Sequence, residues 1–170
     1  MLQQSSPSSY SIISTHDFAE VREHTASLAK SLHSIRYFKE GDVLCQFGAA
    51  AILKSPTYLT VQTGLEEHIH LKPEFLKFIN HSCDPNVFFD TYHMQLVCLR
   101  PIEPGDEFGF FYPSTEWDMA QPFSCLCGSH KCLNQIRGAA HIPLDILNTY
   151  KVTRFIQQQI HERSIKEKRA

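Results

Sequence analysis

The chain has 170 residues, and 42% of them are hydrophobic, which suits one compact domain with a substantial core. Its 16 lysines and arginines nearly balance its 18 aspartates and glutamates. We therefore expect no direct binding of nucleic acid, which requires a basic face. The sequence contains no run of about 18 or more apolar residues, so we expect no membrane-spanning segment.

The N-terminal residues and the cysteine content predict the cellular location of the protein. Residues 1–10 are rich in Ser, Gln and Pro and lack the basic and apolar regions of a secretory signal. Six cysteines in a chain without an export signal are typical of thiols or metal ligands rather than disulfides. We therefore expect an intracellular protein, cytoplasmic or nuclear, that is not secreted.

In chain order, residues 1–14 are predicted to be flexible, because few of their side chains could be buried to offset the ordering entropy. Between Asp17 and Leu32 the apolar residues loosely follow helical spacing, and a pair of strands is the alternative. Short strands separated by turn residues follow at 43–47, 58–62, 68–71, 86–89, 94–99 and 107–112. Many short strands with few helices predict a β-rich core.

The last part of the chain has a different pattern. Apolar residues recur at helical intervals from Pro143 onward, and the cations within residues 166–169 suit a helix C-terminus. This pattern predicts a helix over residues 143–163. Its apolar stripe either packs on the core, which we favour, or meets the same helix of a second copy in a homo-oligomer.

Three closely spaced cysteines, Cys125, Cys127 and Cys132, form a C-x-C-x4-C pattern, with Gly128 allowing a tight turn. Thiolates this close can converge on one tetrahedral zinc ion, but a structural zinc site needs a fourth ligand. The other cysteines of the chain are the candidates for this position: Cys45, Cys83 and Cys98.

These candidates lie in different surroundings. Cys45 and Cys98 belong to predicted strands among apolar residues, where free cysteine is commonly a small buried hydrophobe. Cys83 lies in a polar irregular segment, which can present its side chain to another loop. Six unrelated reduced thiols are the alternative to a zinc site.

Several segments resemble those of one family. Residues 78–86, F-I-N-H-S-C-D-P-N, resemble the F-x-N-H-S-C-x-P-N motif of SET-domain lysine methyltransferases. Residues 102–112 resemble the family's I-x-x-G-E-E-L-T-F-D-Y strand, and the cluster at 125–132 resembles its post-SET motif. Residues 37–44 resemble the family's early turn and strand. The resemblance covers roughly residues 28 to 138.

The resemblance implies a β-rich, α+β SET fold with a knot-like C-terminal segment. Residues 15–122 would form the SET domain, 123–140 the post-SET zinc loop and 141–170 the C-terminal helix. The implied activity is that of a protein-lysine N-methyltransferase that uses S-adenosyl-L-methionine and carries one structural zinc ion. Its partner would be a protein substrate that presents a lysine, such as a histone tail.

In the family, a narrow aromatic channel admits the lysine while the cofactor enters from the opposite face. Because the amine must be neutral and ordinarily has a pKa of about 10.4, the site must desolvate and align it. Phe110 stands at the family position that influences how many methyl groups are added. Since phenylalanine has no hydroxyl to hold a water against the amine, it predicts di- or trimethylation.

The resemblance also assigns roles to individual residues. Tyr112 would be the active-site tyrosine, and Cys83 would complete the zinc ligands Cys125, Cys127 and Cys132. The cofactor would be held by Asn80, His81, Lys77 and Ile136. The substrate channel would be lined by Phe110, Tyr58 and Trp117, with core packing as the alternative for Trp117. Residues 113–116 are a further candidate for substrate contact.

Three departures from the family pattern favour an alternative function. Residues 29–31, Ala-Lys-Ser, replace a G-x-G turn, and the loss of both glycines restricts close backbone approach to a cofactor. Lys77 stands where the family often has arginine, and Phe111 replaces an aspartate. The alternative is a catalytically weak or inactive SET-like module that zinc stabilises for protein interaction.

Overall fold

The computed structural model describes residues 9–168 and is rich in strands, as the sequence predicts. Its strands are β1 Tyr10–Thr15, β2 Ala19–His24, β3 Lys30–Ser34, β4 Val43–Gln46, β5 Gly48–Leu53, β6 Thr60–Gly64, β7 Glu67–Lys72, β8 Asn80–His81, β9 Val87–Asp90, β10 Gln95–Cys98, β11 Gly109–Phe110, β12 Phe123–Ser124 and β13 Gln135–Ile136. The helices are α1 Leu144–Leu147 and α2 Arg154–Glu167, with 3-10 turns at Glu74–Phe78, Tyr112–Ser114 and Ala139–His141.

These strands form small sheets rather than one continuous sheet. Three antiparallel sheets have the orders β1-β2-β3, β4-β10-β9 and β5-β7-β6. Strands β12 and β13 make an antiparallel pair, whereas β8 and β11 pair in parallel. Within residues 9–168, no helix has the length and apolar content needed to cross a membrane.

The N-terminal part differs from the sequence prediction in two respects. Strand β1 begins at Tyr10, so residues 10–14, expected to be flexible, are ordered by pairing with β2. The rest of that predicted segment, residues 1–8, lies outside the described residues. Between Asp17 and Leu32 the strand-pair alternative is correct, since Val21 and Leu32 face each other across β2 and β3 and are both buried.

The predicted C-terminal helix is interrupted, because residues 148–153 leave the helical path to bond to the rest of the protein. The Tyr150 hydroxyl donates to the carbonyl of Cys83 at 2.8 Å, and the Thr153 N–H donates to the carbonyl of Ser114 at 2.9 Å. The Thr153 side chain then caps α2 by accepting from the N–H of Ile156. The buried residues Leu147 and Ile156 pack into a core cluster, so the apolar stripe packs on the core.

This second core cluster explains the replacement of the family aspartate by Phe111. The Phe111 side chain is buried, and its ring stacks on that of Tyr150 with the centroids 3.8 Å apart. A charged residue in this position would lose its hydration without a cationic partner among the apolar neighbours. Phe111 therefore joins the C-terminal segment to the 3-10 turn that begins at Tyr112.

The parallel pair β8–β11 brings the two main sequence motifs together. Gly109 lies beside Asn80, and Phe110 lies beside His81. The Asn86 side chain fixes this pairing by accepting from the Gly109 N–H at 2.8 Å and donating to the Glu107 carbonyl at 2.9 Å. A Cβ atom on Gly109 would lie 2.8 Å from the Cβ of Ser82, so only glycine fits this approach.

We expect Gly109→Ala to lower the free energy of unfolding by about 1–3 kcal/mol, since the added methyl group forces the two segments apart. Urea unfolding followed by circular dichroism measures this effect. Gly48→Ala is the matched control, because a Cβ at Gly48 meets no atom within 4 Å. Equal stability of the two variants would contradict the close approach.

Candidate active site and zinc centre

A cavity of about 750 Å³ lies where the two motifs meet, between β6 and the segment leading to the cysteine cluster. Small-molecule sites have volumes of about 300–1,000 Å³. The cavity therefore has room for a cofactor and the end of a substrate. The residues that line it include the predicted catalytic Tyr112 and five of the predicted cofactor and substrate residues: Asn80, His81, Lys77, Phe110 and Tyr58.

Two predicted site residues, Ile136 and Trp117, do not line this cavity. Ile136, expected against the cofactor, is fully buried and packs with Cys83 and Cys125 rather than lining the cavity. Trp117, expected in the substrate channel, packs against the second core cluster, which is the alternative that the sequence left open. Ile136 is thus fully buried and Trp117 partly buried against apolar neighbours.

Tyr112 occupies an aromatic part of the cavity wall. Its ring centroid lies 4.6 Å from that of Phe110 and 6.0 Å from that of Phe123. The hydroxyl donates to the carbonyl of Ile79 at 3.5 Å. Burial raises the pKa of Tyr112 to about 12, to which the negative charges of Glu116 and Glu107 add. The phenol therefore keeps its proton at neutral pH.

Asn80 connects the cavity to β3, which begins at Lys30, within the residues 29–31 that replace the family's G-x-G turn. Its side-chain amide donates to a carboxylate oxygen of Glu107 at 2.9 Å and to the carbonyl of Lys30 at 3.1 Å. Residues 29–31 do not themselves line the cavity. Lys77 pairs with Glu74, and its ammonium lies 5.1 Å from the ring centroid of Phe78.

His81 links Tyr112 to the cysteine cluster. The backbone N–H of Tyr112 donates to Nδ1 of His81 at 3.3 Å, so the neutral ring carries its proton on Nε2. That nitrogen lies 3.2 Å from Sγ of Cys83 and donates to it. Burial lowers the pKa of His81 to about 4, which keeps the ring neutral.

The four predicted zinc ligands come together. The Sγ atoms of Cys83, Cys125, Cys127 and Cys132 all lie within 4.8 Å of one another, and those of Cys83 and Cys125 are 3.9 Å apart. A tetrahedral zinc ion with Zn–S bonds of about 2.3 Å separates its sulfurs by about 3.8 Å. The geometry and the donor set therefore fit a closed structural zinc site.

The surroundings of the sulfurs also suit metal binding. Cys83 accepts hydrogen bonds from His81 and from the N–H of Leu133, the latter at 3.4 Å, and such contacts orient a metal-bound thiolate. Burial raises the pKa of Cys83 well above its ordinary value and that of Cys125 to about 11. Without metal these thiols hold their protons, so zinc binding would release them.

The sequence did not single out Glu107, Glu116 or Tyr150. Glu107 lies next to Asp106 within residues 102–112, the segment that resembles a family strand. This position was the signal in the sequence that could have indicated Glu107 as a site residue. Glu116 lay inside the segment 113–116 proposed for substrate contact, as its only charged residue. Tyr150 fits the apolar pattern of the predicted helix over residues 143–163, and no local signal in the sequence indicates its hydrogen bond to the carbonyl of Cys83.

We expect the purified protein to hold one zinc ion per chain and Cys127→Ser to weaken zinc binding by at least about tenfold, because the site loses a thiolate. Metal analysis and competition with a chelator measure content and affinity. Cys45→Ala is the matched control, since Cys45 lies outside the cluster. If Cys127→Ser bound zinc as tightly as the wild-type protein, Cys127 would not be a ligand of a zinc site that the four cysteines form together.

Comparisons with known proteins agree with this arrangement. A methyltransferase of Aspergillus flavus, flvH, is 40% identical over 122 residues, which are 71% of this chain and 68% of that protein. A SET and MYND domain-containing protein of Dictyostelium discoideum is 42% identical over 69 residues, 35% of this chain and 20% of that protein. A histone-lysine N-methyltransferase of Candida albicans, H3 lysine-36 specific, is 37% identical over 68 residues, 36% of this chain and 8% of that protein.

The chain thus spans about two thirds of the first relative and a fifth or less of the other two. These relatives support a methyltransferase. The family model that describes the SET domain matches residues 12–113, which is more than half of the sequence. The chain therefore belongs to the SET-domain family.

Proposed function

We propose that this protein is an S-adenosyl-L-methionine-dependent protein-lysine N-methyltransferase with one structural zinc ion. The observation that carries the proposal is the position of Tyr112, which lines one cavity with Asn80 and His81. The SET-family match and the methyltransferase relatives support the same activity. A relative named for histone H3 lysine-36 makes a histone tail a candidate substrate.

The residues present fit a cofactor of this class. Lys77 would hold its carboxylate, and Asn80 and His81 would flank it, with the cavity large enough for both cofactor and substrate end. When bound, the cofactor supplies a methyl group on a sulfonium, which carries a positive charge. Lys77 would have to leave or share its pairing with Glu74 to bind the carboxylate.

The aromatic residues of the chain would prepare the amine. Phe110 and Tyr112 form adjoining apolar walls, and excluding water from the substrate amine lowers the pKa of its ammonium form. The Tyr112 hydroxyl and the ring faces would align the nitrogen for in-line attack. Aromatic faces also stabilise the methylated cation.

The second candidate function is an interaction module that retains the fold without turnover. The pairing of Lys77 with Glu74 and the absence of glycine from residues 29–31 favour this alternative. Both features would weaken cofactor binding. The zinc site and the core clusters would be unaffected, so the module would keep its stability.

We expect the zinc-loaded protein to bind one S-adenosyl-L-methionine per chain in calorimetric titration. Tyr112→Phe should keep that affinity within about threefold but reduce methyl transfer to lysine peptides from histone tails by at least about 100-fold, the usual scale for a lost transition-state contact. Tyr37→Phe is the control, because Tyr37 is an exposed tyrosine outside the cavity. No saturable binding at millimolar cofactor would favour the interaction module.

We expect the wild-type protein to add two or three methyl groups and Phe110→Tyr to shift the products toward monomethyl-lysine. The added hydroxyl would hold a water in the space that the larger products need, since Phe110 packs beside Tyr112. Mass spectrometry of a peptide substrate distinguishes the products. Only monomethyl-lysine from the wild-type protein would overturn this expectation.

A further inference from the structure

Glu116 is a buried carboxylate in the wall of the cavity. Its residue is 7% exposed, and its backbone N–H donates to the carbonyl of Tyr112 at 3.0 Å, one turn earlier in the chain. It lines the cavity together with Tyr112 and with Thr60 and Val61 of β6. The negative charge of Glu116 contributes to the raised pKa of Tyr112, after the larger effect of burial. The carboxylate thus lies near the tyrosine end of the cavity.

Neutral donors hold this carboxylate in place. One oxygen, Oε1, accepts from the backbone N–H of Gln62 at 2.8 Å and from the Thr115 hydroxyl at 3.2 Å. The Gln62 side chain in turn accepts from the N–H of Trp117 at 2.9 Å. No ion pair within residues 9–168 includes Glu116.

The other charged groups of the cavity have partners. Glu107 accepts from Asn80, and Lys77 pairs with Glu74. Arg100 donates to the carbonyl of Asp84. Glu107 also has only a neutral donor, but it is exposed, whereas the negative charge of Glu116 is both buried and held by neutral donors alone. A buried carboxylate without a cationic partner is costly, and a cation that enters the cavity would remove that cost.

We propose that Glu116 receives the cationic amine of the substrate and selects alkylammonium ions over neutral molecules of the same shape. The apolar walls formed by Phe110 and Tyr112 would accommodate the alkyl stem, while the carboxylate would bind the charged end. The proposal rests on the proposed function for the view that this cavity admits the amine to be methylated. The binding of the cation itself can be tested without any methyl transfer.

The test uses n-butylammonium, which reproduces the end of a lysine side chain, and 1-butanol as its neutral counterpart. Each is titrated into the zinc-loaded protein, with and without S-adenosylhomocysteine, while amide chemical shifts of the cavity residues are followed by NMR. Because burial raises the pKa of Glu116 to about 7, the titration is run at about pH 8.5, where the carboxylate is ionised. The wild-type protein is expected to bind butylammonium more tightly than butanol.

Glu116→Gln removes the charge and keeps a carbonyl oxygen that can accept from Gln62 and Thr115. It should weaken butylammonium binding by about tenfold, the usual scale for a hydrogen bond to a charged group, and leave butanol binding within about twofold. Glu107→Gln removes a carboxylate from the same cavity beside Asn80 and should keep the preference for the cation. A role of Glu116 in folding alone would change the two probes equally.

If Glu116→Gln does not fold, carboxyl carbon shifts of the wild-type protein provide the second measurement. Bound butylammonium should lower the pKa of Glu116, and butanol should not. Equal binding of butylammonium by the wild-type protein and Glu116→Gln, or no binding to the wild-type protein at about 100 mM probe, would overturn the proposal. Failure to bind S-adenosyl-L-methionine would instead count against the proposed methyltransferase and leave the probe result intact.

Discussion

The parallel pairing of Asn80–His81 with Gly109–Phe110 brings the residues of the candidate site together. The two strands are 28 or more residues apart along the chain, so their contact carries a large loop-closure cost. Asn86 offsets part of that cost, because its backbone N–H and side chain both bond to the Gly109 segment. Because Gly109 has no Cβ, its backbone can lie close to Ser82. The cavity is lined by residues of both paired segments.

His81 extends this constraint to the cysteine cluster. One ring nitrogen accepts from the backbone of Tyr112, and the other donates to the sulfur of Cys83. Tyr150 bonds to the carbonyl of the same cysteine and stacks on Phe111, next to Tyr112. The cysteine cluster and Tyr112 are therefore two ends of one packed unit. A metal that orders the four cysteines also restricts the backbone that presents the phenol.

Much of the site could be predicted because its residues lie in short motifs with specific spacing. Cys83 lies in a polar irregular segment, unlike Cys45 and Cys98, and it is the cysteine whose sulfur joins the other three. Ile136 and Trp117 do not line the cavity, and the motifs could not show this, because a motif gives chain position and not the face that a side chain takes. The helix break at residues 148–153 was missed for a related reason. Apolar spacing continues through that segment, whereas the hydrogen bonds that interrupt the helix go to distant residues.

The negative charge of Glu116 would offset an electrostatic repulsion in the proposed reaction. A sulfonium and an ammonium are both cations, and bringing them together in a partly buried space is unfavourable because the low dielectric strengthens their repulsion. A carboxylate at the tyrosine end reduces that cost at the moment of entry. The neutral donors Gln62 and Thr115 fix Glu116 without cancelling its charge, whereas a lysine or arginine in their place would neutralise it. The same wall therefore has two opposing effects on the amine: the negative charge attracts and favours its protonated form, whereas the apolar surface favours its neutral form.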